Sequence, residues 1–192
     1  LPMVIAGTPH SSLDIPFVDT DNFGGAYAAT KHLINVGCQK IGIITGDIGT
    51  TAAKQRLDGY LQAFRETGHV PAKGLICEGN YSLESGMENT RKLLAEHPDI
   101  DGIFASNDLM AAGAVTVLQD MGKLVPEDVK VVGFDDSHLA SRNQPSITTI
   151  RQPMKELGAQ VATSLLAILD GKEVEGKVLD VKLIKRQSSA SK

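Results

Sequence analysis

The stretch KVVGFDDSHLA, Lys130 to Ala140, runs a continuous apolar segment straight into two adjacent carboxylates. Val131, Val132, Gly133 and Phe134 show no alternation of polar and apolar residues, which is the pattern of a strand buried on both faces of a parallel sheet. Asp135 and Asp136 then close it. Asp135 reads equally as a ligand-binding group or as a turn residue. Successive side chains of an extended segment point opposite ways, so Asp136 is the better turn or cap residue.

The same strand character recurs upstream in MVIAG (3–7), PFVDTD (16–21), KIGIITG (40–46), GLICEG (74–79) and DGIFAS (101–106). Segments of helical period lie between them. In 22–37, Ala26, Ala29, Leu33 and Val36 share one face and Gly37 follows as a C-cap. In 51–68, Leu57, Leu61 and Phe64 form the expected apolar stripe, ending at Gly68. Residues 82–98 open on a Ser-x-x-Ser turn and stop at Pro98, and 107–122 form the next helix. Downstream, 146–152 is extended, 153–171 is a helix with Pro153 in its first turn, and 177–186 is read as one closing strand. Strands alternating with helices predict an α/β fold of Rossmann-like parallel sheets flanked by helices. The tail, 187–192, is expected to be frayed.

Composition removes several function classes. Apolar residues make up 42% of the 192, enough for a substantial core. Nineteen Lys and Arg against 23 Asp and Glu, with KLIKR (Lys182 to Arg186) the nearest thing to a basic cluster, argue against a grip on nucleic acid or anionic lipid by this chain itself. Cys38 and Cys77 match no metal or redox spacing, and His10, His32, His69, His97 and His138 are scattered, so no metal site is expected. There is no nucleophile elbow, dinucleotide fingerprint or phosphate loop; GDIGTTAAKQR is Gly/Thr-rich, but its lysine follows no second P-loop glycine. No catalytic residues, no enzyme activity and no cofactor are expected. No apolar run reaches the ~20 residues of a membrane span. LPMVIAG carries no signal-peptide features and begins as a strand without an initiator methionine, so the chain is read as a fragment.

In an open parallel sheet, ligands bind at the carboxyl ends of the strands. These ends carry Asp19, Thr20 and Asp21; Gly46 and Asp47, with a loop leading to Arg56; Gly79, Asn80 and Tyr81; Ser106, Asn107 and Asp108; and Asp135 and Asp136. Carboxylates accept paired hydroxyls, an amide donates and accepts, an arginine offers a donor fork, and an aromatic ring stacks on a sugar or base. Each residue also has an ordinary explanation. Asn107 and Asp108 stand where a helix N-cap belongs, Arg56 fits a solvated helix face, and Tyr81 fits a partly buried loop.

RLDGYLQAFRETG, GNYSLESG, IFASNDLMAAGAV, VPEDVKVVGFDDSHLA and PSITTIRQPMKELG occur in this order and at this spacing. Together they resemble the effector-binding core of the lactose-repressor/galactose-repressor (LacI/GalR) family of bacterial transcription regulators. The resemblance implies a periplasmic-binding-protein-like fold of type I, two lobes joined by three crossovers, with the N-terminal lobe incomplete. It places 1–20 and 150–173 in that partial lobe and 21–149 and 177–186 in the C-terminal lobe, with crossovers near Thr20, near Thr149 and between 171 and 177. Arg56 of RLDGY, Asn107 of SND and Asp135 of GFDD match positions that hydrogen-bond the effector. Tyr81 matches the position that stacks on it, Asp136 stays structural, and Thr20 and Asp21 are secondary ligand candidates. The implied effector is a saccharide, with a purine or nucleoside as the alternative. The resemblance also implies a cytoplasmic homodimer formed through the C-terminal lobe. The segment Ala111 to Gln119 is apolar on more than one face, so it serves either that interface or the interior of one lobe. Operator DNA would be held only by a headpiece that this chain lacks. The competing function is a periplasmic sugar receptor of a transport system. Val4, Ile5 and Val18 of the incomplete lobe are expected to be exposed.

Overall fold

The computed structural model describes residues 1–9, 14–68, 70–72 and 74–190; His10, His69 and the last two tail residues lie outside them. The elements in chain order are β1 (Ile5–Ala6), β2 (Phe17–Thr20), α1 (Asn22–Asn35), β3 (Ile41–Thr45), α2 (Thr51–Arg65), β4 (Ile76–Glu78), α3 (Leu83–Glu96) and β5 (Gly102–Ala105). Then follow α4 (Asp108–Asp120), β6 (Lys130–Asp135), α5 (His138–Arg142), β7 (Thr148–Arg151), α6 (Met154–Leu169), β8 (Lys177–Leu179), β9 (Lys182–Ile184) and a 3-10 turn (Gln187–Ser189).

The larger sheet has the order β4-β3-β5-β6-β7-β9, parallel except for β9. Its continuous apolar strands are covered on both faces, as a parallel sheet requires. Ile41, Ile43, Phe104, Val132, Phe134 and Ile150 face α1 and α2. Ile44, Ile103, Ala105 and Val131 face α3 and α4. Both helix pairs are drawn together by glycine: a Cβ on Gly59 would overlap the Phe23 carbonyl of α1, and one on Gly113 would overlap the Leu83 carbonyl of α3. Ser82 caps α3 as the Ser-x-x-Ser reading expects, accepting from Ser85 N at 3.1 Å.

The buried face of α2 differs from the expected one. Leu57 and Leu61 are half-buried, whereas Ala53, Tyr60, Ala63 and Phe64 form the core stripe and Arg56 lies among them. The Tyr60 hydroxyl donates to Ile41 O at 2.7 Å, so a polar ring can occupy that face without an unpaired group. Nine residues of α4, including Met110, Ala111, Ala114, Val115, Val117 and Leu118, are buried within this chain. The second apolar face of α4 is therefore filled by its own lobe.

The smaller sheet has the order β1-β2-β8, all parallel. The expected single closing strand is two strands: 177–179 joins β2 in the smaller sheet, and 182–184 pairs antiparallel with β7 in the larger one. The last passage between sheets thus falls at Asp180 and Val181, downstream of the expected position. No glycine or proline marks it, because an extended chain can pass from one sheet to another without a turn. β7 likewise runs on to Arg151 in the larger sheet.

Two further expectations are corrected. Val18 is 1% exposed and Val4 and Ile5 are half-buried. Exposed apolar side chains around the smaller sheet are instead Leu1 and Met3 ahead of β1, Met154, Leu166 and Leu169 of α6, and Val178 of β8. The tail is not frayed through Ser189. Ser188 Oγ donates to Val131 O at 2.6 Å and accepts from Thr148 N at 2.9 Å, and Ser189 Oγ lies 2.7 Å from His32 Nε2. These hydroxyls satisfy backbone and side-chain groups at the sheet margin, a role that a polar composition conceals. The short helix α5 has no counterpart in the sequence reading.

Candidate functional site

Four of the five polar strand ends lie along one edge of the larger sheet. The fifth, Asp19 to Asp21, belongs to the smaller sheet and faces them. Arg56 is the centre of the arrangement. Its guanidinium carbon stands 3.7 Å from the centroid of the Phe134 ring, its Nε donates to Asn22 Oδ1 at 2.9 Å, and one terminal nitrogen donates to Ser106 O. The residue is 6% exposed. Burial lowers its pKa, while Asp135, Tyr81, Asp19 and Asp108 oppose the shift; arginine stays charged regardless. This is a cation fixed on an aromatic face with donors left over for a ligand.

Asp135 ends β6 with φ of 112°, and Asp136 follows at φ of 60°. This left-handed pair redirects the chain so that the two carboxylates take separate paths. Asp135 Oδ1 accepts from Gln152 Nε2 at 2.7 Å, and its other oxygen has no hydrogen bond among the described residues. Asp136 is clamped, with Oδ2 2.5 Å from Arg151 Nε and Oδ1 2.5 Å from a terminal nitrogen of Arg186. Asp136 is therefore a turn-fixing ion pair and Asp135 the group left for other use.

The neighbouring strand ends complete the edge. Asn107 caps α4 through Oδ1, which accepts from Met110 N at 2.9 Å, and its Nδ2 donates to Tyr81 O at 2.9 Å. Its capping role is thus real, and one amide N–H stays available. Tyr81 has φ of 67° and lays its ring on Gly46, where any Cβ would collide with it. Asp108 is bound at both oxygens, by Thr149 Oγ1 at 2.6 Å and Ser137 N at 2.7 Å. Of the secondary candidates, Asp21 caps α1 by accepting from Gly24 N at 2.7 Å, and Thr20 Oγ1 donates to Gln152 Oε1 at 2.6 Å.

Comparison with known proteins accords with this geometry. Residues 30–189 match the family model described as a periplasmic binding protein-like domain. The chain is 37% identical over 98% of its length to the HTH-type transcriptional regulator CelR of Thermobifida fusca, covering 56% of that protein. It is 41% identical over 87% of its length to the ribose operon repressor of Halalkalibacterium halodurans, covering 48% of it. Its fold superposes on the CelR–cellobiose complex with a TM-score of 0.91 at 37% identity, covering 96% of this chain and 58% of that one. A sugar-binding transcriptional regulator of the LacI family from Escherichia coli, complexed with phosphate, gives 0.86 at 31% identity, with 98% and 68% covered. The chain belongs to the LacI family. It is a periplasmic-binding-protein-like effector domain of that family, and it spans about half the length of the curated relatives it matches. Those relatives are transcriptional regulators, not transport receptors or enzymes. No helix among the described residues is long and apolar enough to cross a membrane.

The sequence reading passes over three residues of this polar edge. Phe134, the platform under Arg56, reads as one more apolar strand residue. Asn22, which orients Arg56, reads as the start of a helix. Gln152 lies within TTIRQP, and that quoted motif was the signal from which its role could have been suspected.

Burial raises the Asp135 pKa to about 6, against the opposing pull of Arg56. The folded protein therefore keeps a proton that the unfolded chain, titrating near 3.8, has already released. Ionisation of Asp135 costs stability as pH rises from about 4 through about 6. Asp135→Asn is expected to raise the melting temperature above pH 6, with the gain vanishing as pH falls towards 4. Thermal unfolding of both proteins from pH 4 to 8 checks this; an unchanged difference across that range contradicts it.

Proposed function

We propose that this domain is the effector-sensing and dimerisation core of a cytoplasmic transcription regulator. It binds a saccharide between the two sheets and thereby modulates operator binding by a headpiece outside this chain. In this reading 1–20 and 152–179 contribute to an N-terminal lobe, and 21–151 with 182–186 form the C-terminal lobe. The observation that carries the reading is the buried Arg56 on Phe134 beside the half-free Asp135. A donor fork next to a carboxylate suits adjacent hydroxyls, which both donate and accept. Tyr81 and the spare Asn107 N–H extend the same edge, and the cellobiose in the CelR complex supports a sugar.

Effector and operator each favour one arrangement of the lobes, so their affinities are coupled reciprocally. Calorimetric titration of the full-length protein with cellobiose, ribose and hypoxanthine tests the class of effector. Saturable binding of a sugar is expected; binding of hypoxanthine alone would shift the assignment to a purine.

The homodimer is proposed through the C-terminal lobe, but not by the interior faces of α4. Met121 and Leu124, 56% and 60% exposed just beyond that helix, are apolar surface that a partner would cover. Light scattering at micromolar concentration is expected to give a dimer that Met121→Glu combined with Leu124→Glu converts to a monomer. A wild-type monomer would count against the interface.

A further inference from the structure

Gln152 stands where the chain leaves β7 of the larger sheet for α6, which packs on the smaller one. Its carboxamide has a partner on each side. Oε1 accepts from Thr20 Oγ1, at the end of β2, at 2.6 Å. Nε2 donates to Asp135 Oδ1, at the end of β6, at 2.7 Å. We propose that Gln152 is a clasp between the two sheets that competes with the effector for Asp135 and is released when an effector hydroxyl takes its place. The inference rests on the effector reading above and adds the residue that sets the balance between the free and bound arrangements.

The chemistry of the three groups fixes the direction of the clasp. An ionised carboxylate only accepts, so the amide nitrogen must face Asp135 and its oxygen must face the Thr20 hydroxyl. The Gln152 backbone N–H also points to Asp135 O, at 3.4 Å. A second polar path joins the sheets without Gln152. Asp19 Oδ2 accepts from Asn22 Nδ2 at 3.3 Å, and Asn22 Oδ1 accepts from Arg56. Loss of the clasp therefore leaves the sheets connected. An effector hydroxyl that enters along the direction Gln152 Nε2 now occupies displaces that donor from Asp135 Oδ1. The same event loosens Thr20, so binding in the larger sheet is felt in the smaller one. Gln152 is thus a positioning residue rather than a ligand for the effector.

The test uses the full-length protein, with cellobiose and ribose as probes. Gln152→Leu keeps much of the side-chain volume and removes both hydrogen bonds; Thr20→Val removes one. Both are expected to tighten sugar binding, Gln152→Leu by about five- to tenfold, the yield of one net hydrogen bond no longer broken on binding. Weaker binding in Gln152→Leu would make Gln152 an effector ligand and overturn the clasp; unchanged affinity in both variants would overturn it as well.

A second readout needs no effector. Asp135 is faced by Arg56 from α2 and Asp108 from α4. In the ligand-free protein the nitrogen-15 signal of the Gln152 side-chain amide is expected to follow Asp135 with a midpoint near pH 6 and to shift in Thr20→Val. An amide signal indifferent to both overturns the clasp and leaves the effector reading standing. A responsive amide in a protein that binds neither sugar supports the clasp between the sheets and strikes the effector reading instead.

Discussion

Arg56→Ala is expected to weaken effector binding by about 1–3 kcal/mol, roughly one to two orders of magnitude, because the lost hydrogen bonds come from a charged group. The effect has two parts. The ligand loses the donors that the guanidinium presents from the Phe134 face. Asp135 also loses the neighbouring cation that favours its ionised form, so its pKa moves further above about 6 and less of it is a carboxylate at neutral pH. Arg56→Lys separates these parts. It keeps a charge near Asp135 but cannot hold Asn22, Ser106 and a ligand at once through a planar fork, so it recovers only part of the loss. Calorimetry on the full-length protein is the measurement, and wild-type affinity in Arg56→Ala would remove Arg56 from the site.

Asp136→Ala is expected to cost about 3 kcal/mol of folding stability, in the range for breaking a largely buried ion pair. Only 8% of the Asp136 side chain is exposed, and it binds two arginines. Arg186 is the more buried of the two and would keep its charge without its acid partner; half-exposed Arg151 would turn to water. Burial alone would raise the Asp136 pKa, but the hydrogen bonds from Arg151 and Arg186 outweigh it and bring it below the ordinary value. Its contribution to stability is therefore present above about pH 4 and fades as pH falls through the lowered folded value. Asp136→Asn tolerates the left-handed backbone at φ of 60°, so it isolates the loss of charge from the strain that alanine adds there. Urea unfolding near pH 7 reads both; a change below about 0.5 kcal/mol would show that the clamp contributes nothing, as exposed pairs often do.

The two adjacent acids show how far the sequence could be read. The alternating directions of an extended chain separate Asp135 from Asp136, and the separation in the structure has the expected sense: one acid clamped, one turned to the polar edge. The mechanism was not legible, because it depends on a left-handed backbone and on Arg186, fifty residues away in sequence. The RLDGY motif singles out Arg56, while the leucine period of α2 points one face away from it. Leu57 and Leu61 outweigh Ala53 and Gly59 on any hydrophobicity scale, yet the close approach of α1 needs the small residues. The strands and helices of the larger sheet follow from period and from caps such as Ser82, which are local. What escaped, the split of the last strand, the docking of Ser188 and Ser189 and the bridge made by Gln152, depends on partners distant in sequence that only the fold brings near.

The central claim is that a polyhydroxylated effector is held by Arg56 and Asp135 between the two sheets. The most direct measurement is a parallel calorimetric titration of cellobiose, ribose and hypoxanthine into full-length wild-type protein, Arg56→Ala and Asp135→Asn. The account predicts that a sugar binds the wild type saturably and binds both variants at least about fivefold more weakly, with each variant still folded. Sugar binding of wild-type strength in both variants, or no sugar binding by the wild type beside tight binding of hypoxanthine, would contradict it.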